Sequence, residues 1–145
     1  IIKKQLDIEY ILSNKLDYII DLFEKKGYKN EQNVMAVSII KKSLSALCNS
    51  KDGQWIYQVH EDDQFELKHI VMLGDDFEIR IPDRTFIHNN TRWIIDYKVL
   101  FGDKDLSIEA KKHLRQLNIY ESLFDDKYPV IKAIYFAPQG KLIRL

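Results

Sequence analysis

The sequence predicts an α/β fold with a mixed β-sheet flanked by helices. Three observations carry that reading. Apolar residues recur at helical spacing through the first third of the chain. Runs rich in β-formers, separated by turn residues, fill the middle. Helical spacing then returns once, and a short apolar run that reads as a buried strand follows it. The resulting order is α-α-β-β-β-β-α-β-β, an arrangement of helices and strands in one mixed sheet.

Residues 4–26 read as the first helix, with Leu6, Ile8, Ile11, Leu12, Leu16, Ile19, Ile20 and Phe23 near helical spacing and Gly27 as its stop. Residues 31–48 read as the second, with Val34, Val37, Ile40, Leu44 and Leu47 on one stripe and Asn30 as N-cap. Ser50-Lys51-Asp52-Gly53 is turn chemistry, and residues 55–59 are expected to be a strand. Further strands are expected over residues 65–73, 77–88 and 92–100, with Gly74-Asp75-Asp76 punctuating the first two. Residues 105–124 return to helix, with Ala110, Leu114, Leu117, Glu121 and Phe124 along one side. Pro129 ends that connection, residues 130–137 form a strand, Pro138-Gln139-Gly140 turns, and residues 141–145 return. Residues 1–50 are thus expected to be a helical segment of the same domain whose core is 51–145.

Bulk composition narrows the function classes. The chain has 145 residues, enough for one domain with a sizeable core. Its 22 basic and 22 acidic residues balance, which argues against a broad nonspecific nucleic-acid stripe. Balance is compatible with a site that sets carboxylates inside a basic groove. Nothing in the sequence approaches a membrane span or a signal peptide. The single cysteine, Cys48, rules out an internal disulfide framework and a cysteine-built metal cluster, and suits a reducing cytosol. No glycine-rich phosphate loop is present, so the chain carries no ATP site of that kind. The start, Ile1-Ile2-Lys3, reads as the beginning of a piece cut from a longer protein.

The informative stretch is Ile81–Val99. Asn89-Asn90 lies between two β-rich runs, and asparagine tolerates positive φ, which suits a two-residue type I′ hairpin turn. His88 then faces Thr91, and counting outward brings Asp83 opposite Asp96. Directly opposed residues of an antiparallel pair lie ~4.5–5.5 Å apart and share a face. Lys98, two residues beyond Asp96, points the same way. For structure alone this is unfavourable, because like charges repel and an apolar setting raises their pKa values. A divalent cation would relieve both, since Mg²⁺ takes hard oxygen ligands beside waters and phosphate. Such an ion activates water on a phosphodiester, and a neighbouring lysine offsets charge in the transition state. The plainer alternative is a solvated strand face with a cross-strand ion pair.

Pro82-Asp83 through Asp96-Tyr97-Lys98, the helix holding Gln116-Leu117-Asn118-Ile119-Tyr120, and the run from Lys132 to Lys141 together resemble the PD-(D/E)XK nuclease domain of RecB- and AddA-type helicase–nucleases. The resemblance covers about residues 54–145 and only poorly the helical start. It implies a restriction-endonuclease-like core and hydrolysis of DNA phosphodiesters in double-strand-break repair and recombination. It implies Asp83 and Asp96 as ligands of Mg²⁺ or Mn²⁺, joined by the carbonyl of Tyr97. Lys98 would be the catalytic lysine, with Gln116 and Tyr120, one helical turn apart, reaching substrate or orienting it. DNA contacts are expected from Arg84, Lys112 and Arg115. The partners implied are DNA with single-stranded ends, a helicase domain of the same polypeptide and a partner subunit, in a bacterial, nucleoid-associated cytoplasmic setting.

The chain departs from the family in three places. Arg80 stands where a glycine is common, Val99 where a small hydroxyl residue is common, and neither N-terminal helix offers the family's upstream histidine. That ligand is expected before Ile1. The departures leave open a silent nuclease-fold module that binds single-stranded DNA or docks a partner subunit. A stand-alone restriction or junction-resolving nuclease would share the chemistry. Surface roles are expected for His113 and His88, a surface or ion-pair role for Glu66, core packing for Trp55 and Trp93, and a solvated face for Lys111.

Overall fold

The computed structural model describes residues 14–73, 76–125 and 127–145. The part of the expected first helix before residue 14 lies outside them. Two helices open the described chain: α1 (Leu16–Lys25) and α2 (Asn30–Asn49). Asn30 begins α2 rather than capping it; Lys29 is the cap position, and its N–H donates to Gln32 Oε1 at 2.9 Å. The expected strand at 55–59 is instead the C-terminal part of a third helix, α3 (Lys51–Tyr57). Ser50 decides this, because its Oγ accepts the Gly53 N–H at 2.9 Å and so caps a helix start. Trp55 and Ile56 then face the sheet from that helix, which overrides their β preference.

Seven strands follow: β1 (Glu61–Phe65), β2 (His69–Leu73), β3 (Asp76–Arg80), β4 (Arg84–His88), β5 (Thr91–Lys98), β6 (Val130–Phe136) and β7 (Lys141–Arg144). The expected strand 77–88 is broken by Ile81-Pro82-Asp83, where proline has no N–H to give a ladder. Its two halves serve different sheets. β2 and β3 form a separate two-stranded hairpin, while the main sheet runs β1-β4-β5-β6-β7. Only β5 and β6 in it are parallel, and the crossover between them carries α4 (Leu106–Lys111) and α5 (Leu114–Glu121). The single helix expected over 105–124 is therefore two, divided at Lys112-His113. Asp105 caps α4, accepting from Ser107 N and Ile108 N.

Side chains alternate across this sheet and make three layers. One face packs Phe86, Trp93, Ile95, Ala133 and Tyr135 against Ile56, with Leu47 and Trp55 alongside. The other packs Ile94, Ile134 and Phe136 against Ala110, Leu117 and Tyr120 of the crossover helices. Two glycines hold the first layer close. A Cβ at Gly53 would lie 2.5 Å from the Leu47 carbonyl oxygen, and one at Gly140, where φ is +59°, would lie 2.9 Å from Ala46 Cβ. No helix among the described residues is long and apolar enough to cross a membrane.

Candidate active site

The β4–β5 hairpin sets the site's geometry. Asn89 and Asn90 both take positive φ, 50° and 54°, as a type I′ turn requires. His88 pairs with Thr91, and the ladder runs in register to Arg84 opposite Ile95. One step further on the same diagonal stand Asp83 and Asp96. Asp83 has just left the strand, and its Oδ2 accepts the Tyr97 main-chain N–H at 2.8 Å. Asp96 shares its face of β5 with Ile94 and so looks toward α4 and α5. Lys98, on the same face, places Nζ 2.5 Å from Asp96 Oδ2.

Asp96 is the electrostatic centre of this group. It is 2% exposed, and burial pushes its carboxyl above the ordinary range. The Lys98 ammonium opposes that rise, the Asp83 charge adds to it, and His113 opposes it more weakly. Asp96 Oδ2 has Lys98 as its partner, with Nζ 2.5 Å away. Two carboxylates close enough to raise each other's charge cost, one of them buried, are a donor set that fits a hard divalent cation. Among the described residues no group of three histidine, cysteine or acidic side chains is gathered as a metal cluster. Tyr97 enters the site through its N–H, donated to Asp83, and its phenol lies on the opposite face near Arg84.

The motif helix is α5. Gln116 Nε2 donates to Tyr120 Oη at 2.7 Å, so the two residues pair as their spacing implies. Tyr120 is buried in the same apolar layer as Ile94 and Leu117. Gln116 thus spends its amide on Tyr120 rather than on Asp96 or Lys98. His113 is half-buried at the break between α4 and α5, rather than on the open surface, and weakly opposes the rise at Asp96. The available signal was its place one turn before Gln116.

Arg84 requires a correction. It is 1% exposed and belongs to the core, not to a DNA-facing surface. Its Nε and Nη2 each donate to Asp63 at 2.8 Å, and its Nη groups also reach the carbonyls of Ile56 and Gln58. Burial alone would lower its pKa, but Asp63 and Tyr97 more than reverse that and hold it above the usual guanidinium value. The signal in the sequence was alternation, since Arg84 shares a face with Phe86. Lys112 is exposed and paired with Glu109 at 2.6 Å; Arg115 and Lys111 are exposed on the crossover helices. Glu66 is exposed and meets the site only through its N–H, which donates to the Asp83 carbonyl. His88 is half-buried rather than solvent-facing, at 5.3 Å from the Trp55 ring. Trp93 is buried and Trp55 half-buried, both within the core layer.

Compared with models of known families and with characterised proteins, the chain matches none.

Proposed function

We propose that the chain is a PD-(D/E)XK-like, Mg²⁺- or Mn²⁺-dependent DNA nuclease domain of the helicase–nuclease kind. One observation carries the proposal. A buried Asp96, an in-register Asp83 and a Lys98 on the same face converge at the end of one hairpin, where structure alone would not set two carboxylates. Asp83 and Asp96 would hold the metal, which supplies Lewis acidity toward a phosphodiester and a water of lowered pKa. Lys98 balances charge at Asp96 and would offset charge on a phosphodiester held there. Gln116, fixed by Tyr120, presents its remaining polar atoms on the same side of the sheet. Lys112 and Arg115 are exposed cations suited to backbone phosphates.

The test is cleavage of labelled single-stranded and duplex DNA with Mg²⁺ or Mn²⁺, by the native protein and by Asp96→Ala and Lys98→Ala. Both substitutions are expected to abolish cutting with the fold retained. Cutting that survives either one sinks the assignment. A second reading, a silent module that binds DNA or a partner subunit, rests on a different observation. Asp96 is closed onto Lys98, and Asp83 is engaged by the Tyr97 N–H. Calorimetric titration of Mn²⁺ separates the two readings. The nuclease reading expects binding that Asp83→Ala removes, whereas the silent module expects none.

A further inference from the structure

Helix α3 hands over to the edge strand β1 through His60. The His60 ring is half-buried and lies flat on Phe86, with centroids 4.1 Å apart and planes 13° from parallel. It also meets the Trp55 ring at 5.0 Å and, edge-on, the His88 ring at 5.2 Å. His60 Nε2 sits 3.0 Å from the Trp55 carbonyl oxygen. A carbonyl only accepts, so Nε2 carries the proton of the neutral ring and a second proton must go to Nδ1. The surroundings disfavour that second proton. The Arg84 guanidinium lies over the same Phe86 ring at 4.8 Å, and His88 is a neighbour that can itself become a cation. The carboxylate facing them is Asp63, and both its oxygens already accept from Arg84. Burial pushes the His60 value below 6.5; the Trp55 carbonyl opposes that, Arg84 and His88 add to it, and Asp63 opposes it more weakly.

Strand β1 is lightly held. It sits at the edge of the main sheet and pairs with β4 alone, and its register slips between Glu61 and Gln64. Asp62 within it and Glu66 just after it take φ of 49° and 48°, a region that strains residues with a Cβ. We propose that His60, with His88 beside it, is an acid-sensitive latch on β1, closed while His60 is neutral and released when it is protonated. A protonated ring is a further cation in the layer that holds Arg84, and turning residues 58–65 toward water relieves it. That segment carries Asp63 and the Gln58 carbonyl, which hold Arg84, and it leads to Glu66, whose N–H donates to the Asp83 carbonyl. The latch therefore reaches the rim of the carboxylate site through the backbone. It operates in the free protein and stands apart from the nuclease reading.

The test follows histidine-ring and amide resonances of the isotope-labelled protein from about pH 8 to about pH 5, with urea midpoints at both ends. Neutral His60 contributes its stability in full above 6.5 and loses it as pH falls from there through the lowered value. The expected result is a His60 midpoint below 6.5, with shifts or broadening of the amides of residues 59–66 that follow it. His60→Gln keeps an N–H for the Trp55 carbonyl and does not titrate, so it should at least halve the part of the urea-midpoint fall that accompanies acidification. His88→Gln leaves His60 in place and should raise the His60 midpoint, which keeps the test open if His60→Gln fails to fold. A His60 midpoint at or above 6.5, amides of residues 59–66 that ignore it, a fall in His60→Gln equal to the native one, or a His60 midpoint indifferent to His88→Gln overturns the proposal.

Discussion

Replacing Asp63 with alanine isolates what Arg84 does. Asp63 supplies two charge-assisted bonds to the guanidinium, Nε to Oδ1 and Nη2 to Oδ2, both at 2.8 Å. The side chains are 1% and 8% exposed, so water does not readily replace the lost partner. Removing one member of a buried pair leaves an uncompensated charge and costs about 3–5 kcal/mol. The Ile56 and Gln58 carbonyls still accept from Arg84, and the Tyr97 hydroxyl lies 3.5 Å away, which favours the lower end of that range. The assay is urea unfolding followed by tryptophan fluorescence, since Trp55 and Trp93 share a layer with the Phe86 ring beneath Arg84. A loss of about 3 kcal/mol is expected, with no change in the salt dependence of any DNA binding. A loss below about 1 kcal/mol, the range of an exposed pair, would refute the burial argument.

Three further outcomes follow from named residues. Burial holds Asp96 above its ordinary value of 3.8, so the native state binds more protons than the unfolded one. Stability from this group is present at low pH and falls as pH rises from the ordinary carboxylate range through the raised value; Asp96→Asn should flatten that fall. The variant should also be about 1 kcal/mol more stable at neutral pH, a melting temperature higher by roughly 3–5 °C, because Lys98 is partly exposed and can be rehydrated. Gly53→Ala drives a Cβ against the Leu47 backbone and should cost roughly 1–3 kcal/mol by urea unfolding despite alanine's helix preference. Asn90→Val, at φ 54°, should cost about 1–2 kcal/mol, while Asn90→Gly should be near neutral, read by thermal melts.

The hairpin that organises the candidate site was legible because its signals are local. Two asparagines set the turn, and strand alternation then fixes which residues share a face. Counting outward from the turn brought Asp83 to Asp96, and the ladder keeps that register to its last pair. What was not legible depends on partners distant in sequence. Trp55-Ile56-Tyr57 prefers strands locally, yet the Ser50 cap and the sheet beneath make it helix. The strand expected over 77–88 ran through Pro82, whose missing N–H breaks it, and nothing nearby said that the halves on either side would join different sheets. Arg84 carried a charge that suggested surface, and its acceptors at Ile56, Gln58 and Asp63 lie more than twenty residues away. Lys98 was placed correctly on the face of Asp96, but its closure onto that carboxylate is a packing outcome that spacing does not contain.

The glycine contacts around Ala46 bear on where this chain can be cut. Gly53 and Gly140 approach the same turn of α2 from segments almost ninety residues apart, and Asp52 Oδ2 accepts the Leu142 N–H at 2.9 Å. Helix α2 is therefore a keystone between the ends of the core, although it precedes every strand. A protein shortened to begin at residue 51 would expose Ile56 and Tyr135 and strip the seat from the Pro138–Gly140 turn. Among the described residues α1 rests chiefly on α2, and the chain that joins them at Gly27 is exposed.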